Sequence, residues 1–456
     1  MMTPSPGATT LAAPPHLNLS VAAEDAIYRK VWLRIIPFLF LCYVVSFLDR
    51  INIGFAQLQM KQDLGFSDAM YGLGAAVFYV GYVLCEVPSN MLLARFGARR
   101  TFSRIMVLWG LASVGMMAVT DATHFYVLRF LLGVFEAGFF PGIVLYLSYW
   151  FPARRRAAVM AIFFAGVAVA GVLGGLVSGW IMRDMAGVMG MYGWQWMFAI
   201  EGAPAVVLGV LVIFLLADGP AQASWLSPQE RSFLLARHTQ ETQRSQHVKA
   251  HSLTALRHAL SHRPTYLFAF IYFALTCGSL TLNFWMPLMI RDFGIKDVVQ
   301  VSLYTVIPNA IGAIGLILIA RRSDRRNERH GHFLFCTTGG ALALAALTLH
   351  PSSLAVSLGL LSLAAVLIFA ALPIFWSLPP GLLPAQTIAP GIAFISSVGI
   401  TSGIVSPWLI GLIKTRTGNI DIALYILAGL LLLSGLTMWG LIPRKSSATH
   451  TTQGAG

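Results

Sequence analysis

Residues able to do chemistry gather early in this chain, in Phe47-Leu48-Asp49-Arg50-Ile51-Asn52, which sits inside an otherwise apolar stretch. A second pair, Arg129 and Glu136, lies inside the fourth apolar stretch. Two helical turns put both on one face, about 10 Å apart. At the centre of a bilayer each such charge costs about 2.5–3.5 kcal/mol, so the four must face one another, water or a ligand. Arginine holds a carboxylate through a planar, bidentate fork, and a buried acid can carry a proton. The expected chemistry is recognition of an organic anion by Arg50 and Arg129, with Asp49 and Glu136 as proton sites. The plain alternative is a buried salt-bridge network that only ties two helices together. Ion pairs stabilise a bundle poorly once desolvation is counted.

Asp49 and Arg50 are adjacent, hence about 100° apart around a helix, and must address different neighbours. Asn52 shares the face of Asp49, while Tyr43 and Ser46 share that of Arg50. Gly133, between Arg129 and Glu136, leaves room for a ligand or a neighbouring helix. In the second stretch Tyr79, Tyr82 and Glu86 fall on one stripe, with Tyr79 nearer mid-membrane and Glu86 placed to clamp a gate. The second half of the chain offers uncharged candidates: Asn283, Trp285, Asn309, Trp376, Ser396 and Ser397. Trp376 leads them, because Pro373, Pro379 and Pro380 surround it and a broken helix can line a cavity.

The elements that must hold these groups are membrane spans. Of 456 residues, 57% are hydrophobic and 11% charged, against about 25% charged in soluble domains. Twelve apolar segments can cross the roughly 30 Å of hydrocarbon. They run near 34–58, 71–93, 101–119, 124–147, 157–182 and 196–217, then 265–290, 300–320, 333–349, 355–378, 389–413 and 420–442. The expected architecture is all-α: twelve transmembrane helices in two pseudo-symmetric six-helix bundles. Its parts are a disordered tail (1–30), a first bundle (31–217), a linker with a short amphipathic helix (218–263), a second bundle (264–443) and a tail (444–456). Ser227-Pro228-Gln229-Glu230 is a capping box and should start the linker helix. The halves echo each other, with Val177-Ser178-Gly179-Trp180-Ile181 answered by Val405-Ser406-Pro407-Trp408-Leu409. Duplicated bundles with a site between them are a transporter architecture.

Most of the 31 basic residues lie in the tails, in the linker and in clusters such as Arg154–Arg156 and Arg321–Arg329. Cytoplasmic loops carry such an excess, so both termini are expected inside, in a multi-pass inner-membrane protein. The formal charge of +13 therefore reads as topology, and no nucleic acid is expected as a partner. The partners expected are the lipid bilayer and a small organic anion, with the chain a monomer. No Lys or Arg precedes Arg29, so no basic signal segment is read. Cys42, Cys85, Cys277 and Cys336 are scattered singly and read as packing residues, as does the Gly171, Gly175, Gly179 ridge, which admits a close neighbour. None of the 11 His lies at mid-membrane, and no nucleophilic or metal-ligand constellation is present. An enzyme is not expected, nor any cofactor or metal; the coupling ion is the proton. A drug or cation/proton antiporter of the same fold remains the alternative, although Arg50 and Arg129 would repel a cation.

Several motifs taken together resemble the anion:cation symporter branch of the major facilitator superfamily, from about Val31 to Pro443. They are Phe47-Leu48-Asp49-Arg50-Ile51-Asn52-Ile53-Gly54, Gly81-Tyr82, Glu86-Val87-Pro88-Ser89-Asn90, Arg95-Phe96-Gly97-Ala98-Arg99-Arg100, and the run from Arg129 to Gly142. The resemblance implies alternating access and proton-coupled uptake of organic anions. It gives proton roles to Asp49 and Glu136, and substrate-site roles to Arg50, Arg129, Tyr79 and Trp376. Arg95, Arg99, Asp324 and Arg325 fall in its conformational loops, where Ala94 replaces the usual acid and Asp324 keeps it in the second half. Ser396-Ser397 stands where relatives often have Asn-Ser, which alters a substrate hydroxyl contact. The Phe-Leu-Asp-Arg-Ile-Asn form is similar to bacterial permeases for tartrate, phthalate or hydroxyphenylacetate.

Overall fold

A computed structural model describes residues 20–246, 253–326, 328–383 and 388–441. The chain before Ser20, the tail with Arg444 and Lys445, and the side chains of Arg154 and Asp324 lie outside the described residues. The first half comprises α1 (Val21–Asp63), α2 (Asp68–Phe96), α3 (Ala98–Gly115), α4 (Ala122–Glu136), α5 (Phe139–Trp150), α6 (Ala153–Asp184) and α7 (Gly193–Leu215). Between the halves lie α8 (Pro228–Gln246) and α9 (Leu253–Ser261). The second half comprises α10 (Arg263–Asp292), α11 (Val298–Arg326), α12 (His330–Leu347), α13 (Leu354–Trp376), α14 (Pro379–Leu382), α15 (Ile388–Ile400), α16 (Ser402–Thr417) and α17 (Asp421–Leu441). With α4/α5, α13/α14 and α15/α16 each counted as one broken span, these make twelve membrane helices, six in each half.

Helix starts follow capping chemistry. Ser67 accepts from Met70 N at 3.1 Å and Asp121 from Thr123 N at 2.8 Å, each satisfying a backbone donor that the first turn leaves free. At the linker helix, Ser227 N donates to Glu230 Oε2 at 2.8 Å and Glu230 N to Ser227 Oγ at 3.2 Å, the reciprocal box expected there. The first helix differs from expectation. Residues 21–30, read as part of a disordered tail, are its first turns, capped by Ser20. Buried Tyr28 stacks with Phe151 and meets Phe233 edge-on, Lys30 Nζ pairs with Glu230 at 2.8 Å, and Arg237 pairs with Glu24 at 3.2 Å. These contacts come from chain far away in sequence.

The broken spans have local causes. After Glu136 the chain passes through Gly138 at φ +83°, where a Cβ would also meet Ser89, and Pro141 has no N–H to continue the ladder. Pro379 and Pro380 open α14 and so break the tenth span just past Trp376, where the proline cluster led a break to be expected. The eleventh span, expected to be continuous, turns at Thr401 between Gly399 and Gly403. Cys42, Cys277 and Cys336 are buried, and all four thiols are free.

Every hydrogen bond described between the two halves lies at the end opposite the termini. Gln57 Nε2 and Tyr71 OH donate to Phe284 O at 3.3 and 3.1 Å, Arg291 Nη1 to Leu58 O at 2.8 Å, and Ala69 N to Thr415 Oγ1 at 2.8 Å. Glycine makes this close approach possible. A Cβ on Gly411 would stand 2.3 Å from Asp68 O, and one on Gly175 2.7 Å from Ser302 O. The Gly171, Gly175, Gly179 ridge thus receives α11, with Asn309 against Gly171.

Candidate functional site

Asp49 and Arg50 address different neighbours, as one residue of helical rotation requires. Asp49 is 1% exposed and accepts from Trp109 Nε1 at 2.5 Å, Ser113 Oγ at 2.6 Å and Asn52 Nδ2 at 3.3 Å. Arg50 turns to α4, where its Nη2 meets Glu136 Oε1 at 2.5 Å, and Ser46 Oγ donates to the same oxygen at 2.9 Å. Phe47, Phe78 and Tyr82 place their rings 5.0–5.6 Å from the guanidinium. Such faces favour a cation. Glu136 Oε2 is buried without a hydrogen-bond partner, and the Tyr79 hydroxyl stands within reach of Arg50.

The two arginines are not equivalent. Arg129 is 0% exposed, its Nε donates to Gly74 O at 3.2 Å, and its guanidinium sits 4.9 Å from the Phe78 ring. Arg50 keeps 16% of its side chain open. The gap left by Gly133 is filled by the α2 backbone, since a Cβ there would fall 1.9 Å from Phe78 O. Arg129 therefore lies in the α2/α4 seam, while Arg50 keeps part of its side chain accessible.

From the second half comes Tyr272, a residue the sequence did not single out. It packs edge-on to Trp376 with ring centroids 4.7 Å apart, touches Gly399, and lies near Tyr79 and Glu86. Gly403 admits the ring of Tyr79. Ser396 is half-buried one turn before Gly399, and Ser397 is exposed. Asn283 donates to Ser279 O at 2.8 Å within its own helix. Trp285 packs edge-on against Tyr71 at 5.2 Å, and Asn309 Nδ2 donates to Thr305 O at 3.0 Å, so both belong to the seal at the far end. Glu86 is half-buried and within electrostatic reach of Arg50 and Tyr82.

At the termini end, Arg99 donates from Nε to Ile213 O at 2.9 Å and from its backbone N to Asp218 Oδ1 at 2.9 Å. The acid held against this loop is thus Asp218, beyond α7. It fills the place where a Cβ on Gly97 would stand, and Gly97 has φ +85°. Arg95 is exposed beside the Phe96 ring, and Arg325 is exposed at the end of α11.

A further acid also escaped the sequence motifs. Glu201 in α7 is 2% exposed and accepts from Ser178 Oγ at 2.6 Å. Its signal in sequence is an acid inside the sixth apolar stretch.

The chain matches the Major Facilitator Superfamily over residues 39–407. It belongs to that family. A protein named as a tartrate transporter from Agrobacterium vitis is 45% identical over 94% of both chains. The metabolite transport protein NicT of Pseudomonas putida is 42% identical over 90% of this chain and 93% of its own. A quinolone resistance transporter of Acinetobacter baumannii is 38% identical over 94% of this chain and 97% of its own. Among solved structures, a partially occluded inward-open form of the xylose transporter XylE from E. coli superposes with a TM-score of 0.72 at 17% identity, over 91% of this chain and 99% of that one. The last likeness shows the fold alone. As a member of this family the chain is a multi-pass membrane transporter of a small metabolite, and it is not an enzyme.

Proposed function

We propose that this transporter imports a small organic anion, a carboxylate, together with protons. The observation that carries the reading is that Arg50 pairs with Glu136 at 2.5 Å and still keeps 16% of its side chain accessible, which we read as facing the space between the halves. A substrate carboxylate and an ionised Glu136 then compete for one guanidinium. A proton on Glu136 removes the competitor, so substrate and proton bind best together. This is the requirement of a symporter. Tyr79, Tyr272 and Trp376 surround the opening with the aromatic, hydrogen-bonding surface that an organic acid needs beyond its charge.

The basic clusters support a cytoplasmic termini end. With the halves hydrogen-bonded at the opposite end, we read this conformation as inward-facing in an inner-membrane protein. The named relatives support both an acid substrate, through the tartrate transporter, and the antiporter alternative, through the quinolone resistance transporter. The partly accessible guanidinium of Arg50 favours the acid. The deciding experiment uses vesicles reconstituted with the purified protein and a panel of labelled organic acids that includes tartrate, under an inward proton gradient. Accumulation of an acid that collapses with the gradient is expected. Movement of a quinolone or another cation, with no acid moved, would establish the antiporter instead.

A further inference from the structure

On the face of α1 turned away from Arg50, two buried acids belong to one cluster: Ser113 donates to Asp49 at 2.6 Å and also packs against Gly202, the residue after Glu201. Asp49 has three donors. Glu201 has one, Ser178, and its Oε2 meets no partner. The Asn52 amide lies between the acids, donating from Nδ2 to Asp49 Oδ1 at 3.3 Å and standing within hydrogen-bonding reach of Glu201. Asn52 Oδ1 is itself buried and unpartnered. Among the described residues the charged group acting on Glu201 is Asp49, and Asp49 in turn lies within electrostatic range of Glu136 and Arg129. From α6 comes only the hydroxyl of Ser178, and α3 meets α7 there through Ser113 against Gly202.

Burying a carboxylate with a single direct donor is costly, and two ionised carboxylates sharing an amide cost more. Three donors make Asp49 the better home for a negative charge. The unpartnered oxygens of Glu201 and Asn52 are both acceptors, and one proton on the acid supplies the donor they lack. Turning the Asn52 amide over reverses the arrangement, so that Asp49 holds the proton and Glu201 the charge.

We infer that Asp49 and Glu201 hold one proton between them through the Asn52 amide, as a proton site alongside the Arg50–Glu136 pair. The inference rests on the proton-coupled reading above for its purpose. The test does not need that reading. Infrared difference spectra of the purified protein, recorded between acidic and alkaline buffers and in heavy water, read buried carboxylic acids directly. Wild type is expected to show a deuterium-sensitive acid carbonyl band that is lost in Glu201→Gln and kept in Glu136→Gln. Ser178→Ala, which spares the acid, should move the band to higher frequency by removing its donor. A band indifferent to both changes would overturn the site, whatever the transport data say. In vesicles, Glu201→Gln should lower the proton-to-substrate ratio read from the reversal potential. An unchanged ratio and pH profile with the band lost would make Glu201 a structural neutral acid and overturn its part in coupling.

Discussion

Replacing Glu136 by Gln tests the competition for Arg50 directly. Glu136 is fully buried, with Arg50 Nη2 at 2.5 Å and Ser46 Oγ at 2.9 Å on one oxygen. Two unit charges about 4 Å apart attract by roughly 4 kcal/mol at an effective dielectric of about 20. The open 16% of Arg50 brings in water, which screens the pair and leaves about 1.5–3 kcal/mol opposing a substrate carboxylate. Gln keeps the shape and an acceptor oxygen for Ser46 and Arg50. Stability should therefore fall by about 1–2 kcal/mol, short of the 3–5 kcal/mol of a buried charge left alone. With no carboxylate left to compete for the guanidinium, the variant should bind its acid about 10–100-fold more tightly than wild type at alkaline pH, and most of the pH dependence of binding should vanish. Equilibrium binding across pH measures both. In vesicles the variant should lose gradient-driven accumulation yet keep counterflow, since exchange never requires release of the proton. Wild-type affinity and pH profile in Glu136→Gln would refute the shared-guanidinium argument.

Arg50→Lys keeps the charge but loses the planar fork, and should weaken binding of the acid about tenfold or more in the same assay. Arg129→Lys acts inside the α2/α4 seam, where the Nε bond to Gly74 O is lost, so its first effect should be a lower Tm in thermal unfolding. Gly411→Ala places a methyl 2.3 Å from Asp68 O, between the halves. At a cost of about 1–3 kcal/mol it should drive the population away from this closed end, raising the labelling rate of a cysteine placed at Ala69. Gly133→Ala makes the same kind of clash, 1.9 Å from Phe78 O, but within one half, so about 1–3 kcal/mol should come off stability with labelling unchanged.

Much of this protein is written in local terms. The twelve spans follow from apolar length, the breaks near Trp376 from proline, and the linker helix start from Ser227 and Glu230. The divergence of Asp49 and Arg50 follows from 100° of rotation per residue, and the structure shows it in their different partners. Each depends on neighbours in sequence, so the chain alone determines it.

What the chain could not determine is which face meets which across helices. Arg129 and Glu136 share a helix face, yet Glu136 takes its guanidinium from α1, because α2 fills the Gly133 gap and buries Arg129 against Phe78. Tyr272 is one of 13 tyrosines, distinguished only by the packing that sets it against Trp376 and toward Tyr79. Residues 21–30 become helix because Tyr28 and Lys30 find Phe151, Phe233 and Glu230. Glu201 carried a legible signal as an acid in an apolar stretch, but its nearness to Asp49 needed α7 packed on α1. Pairings between helices are set by the sum of many weak contacts over the whole bundle, and no window of sequence contains that sum.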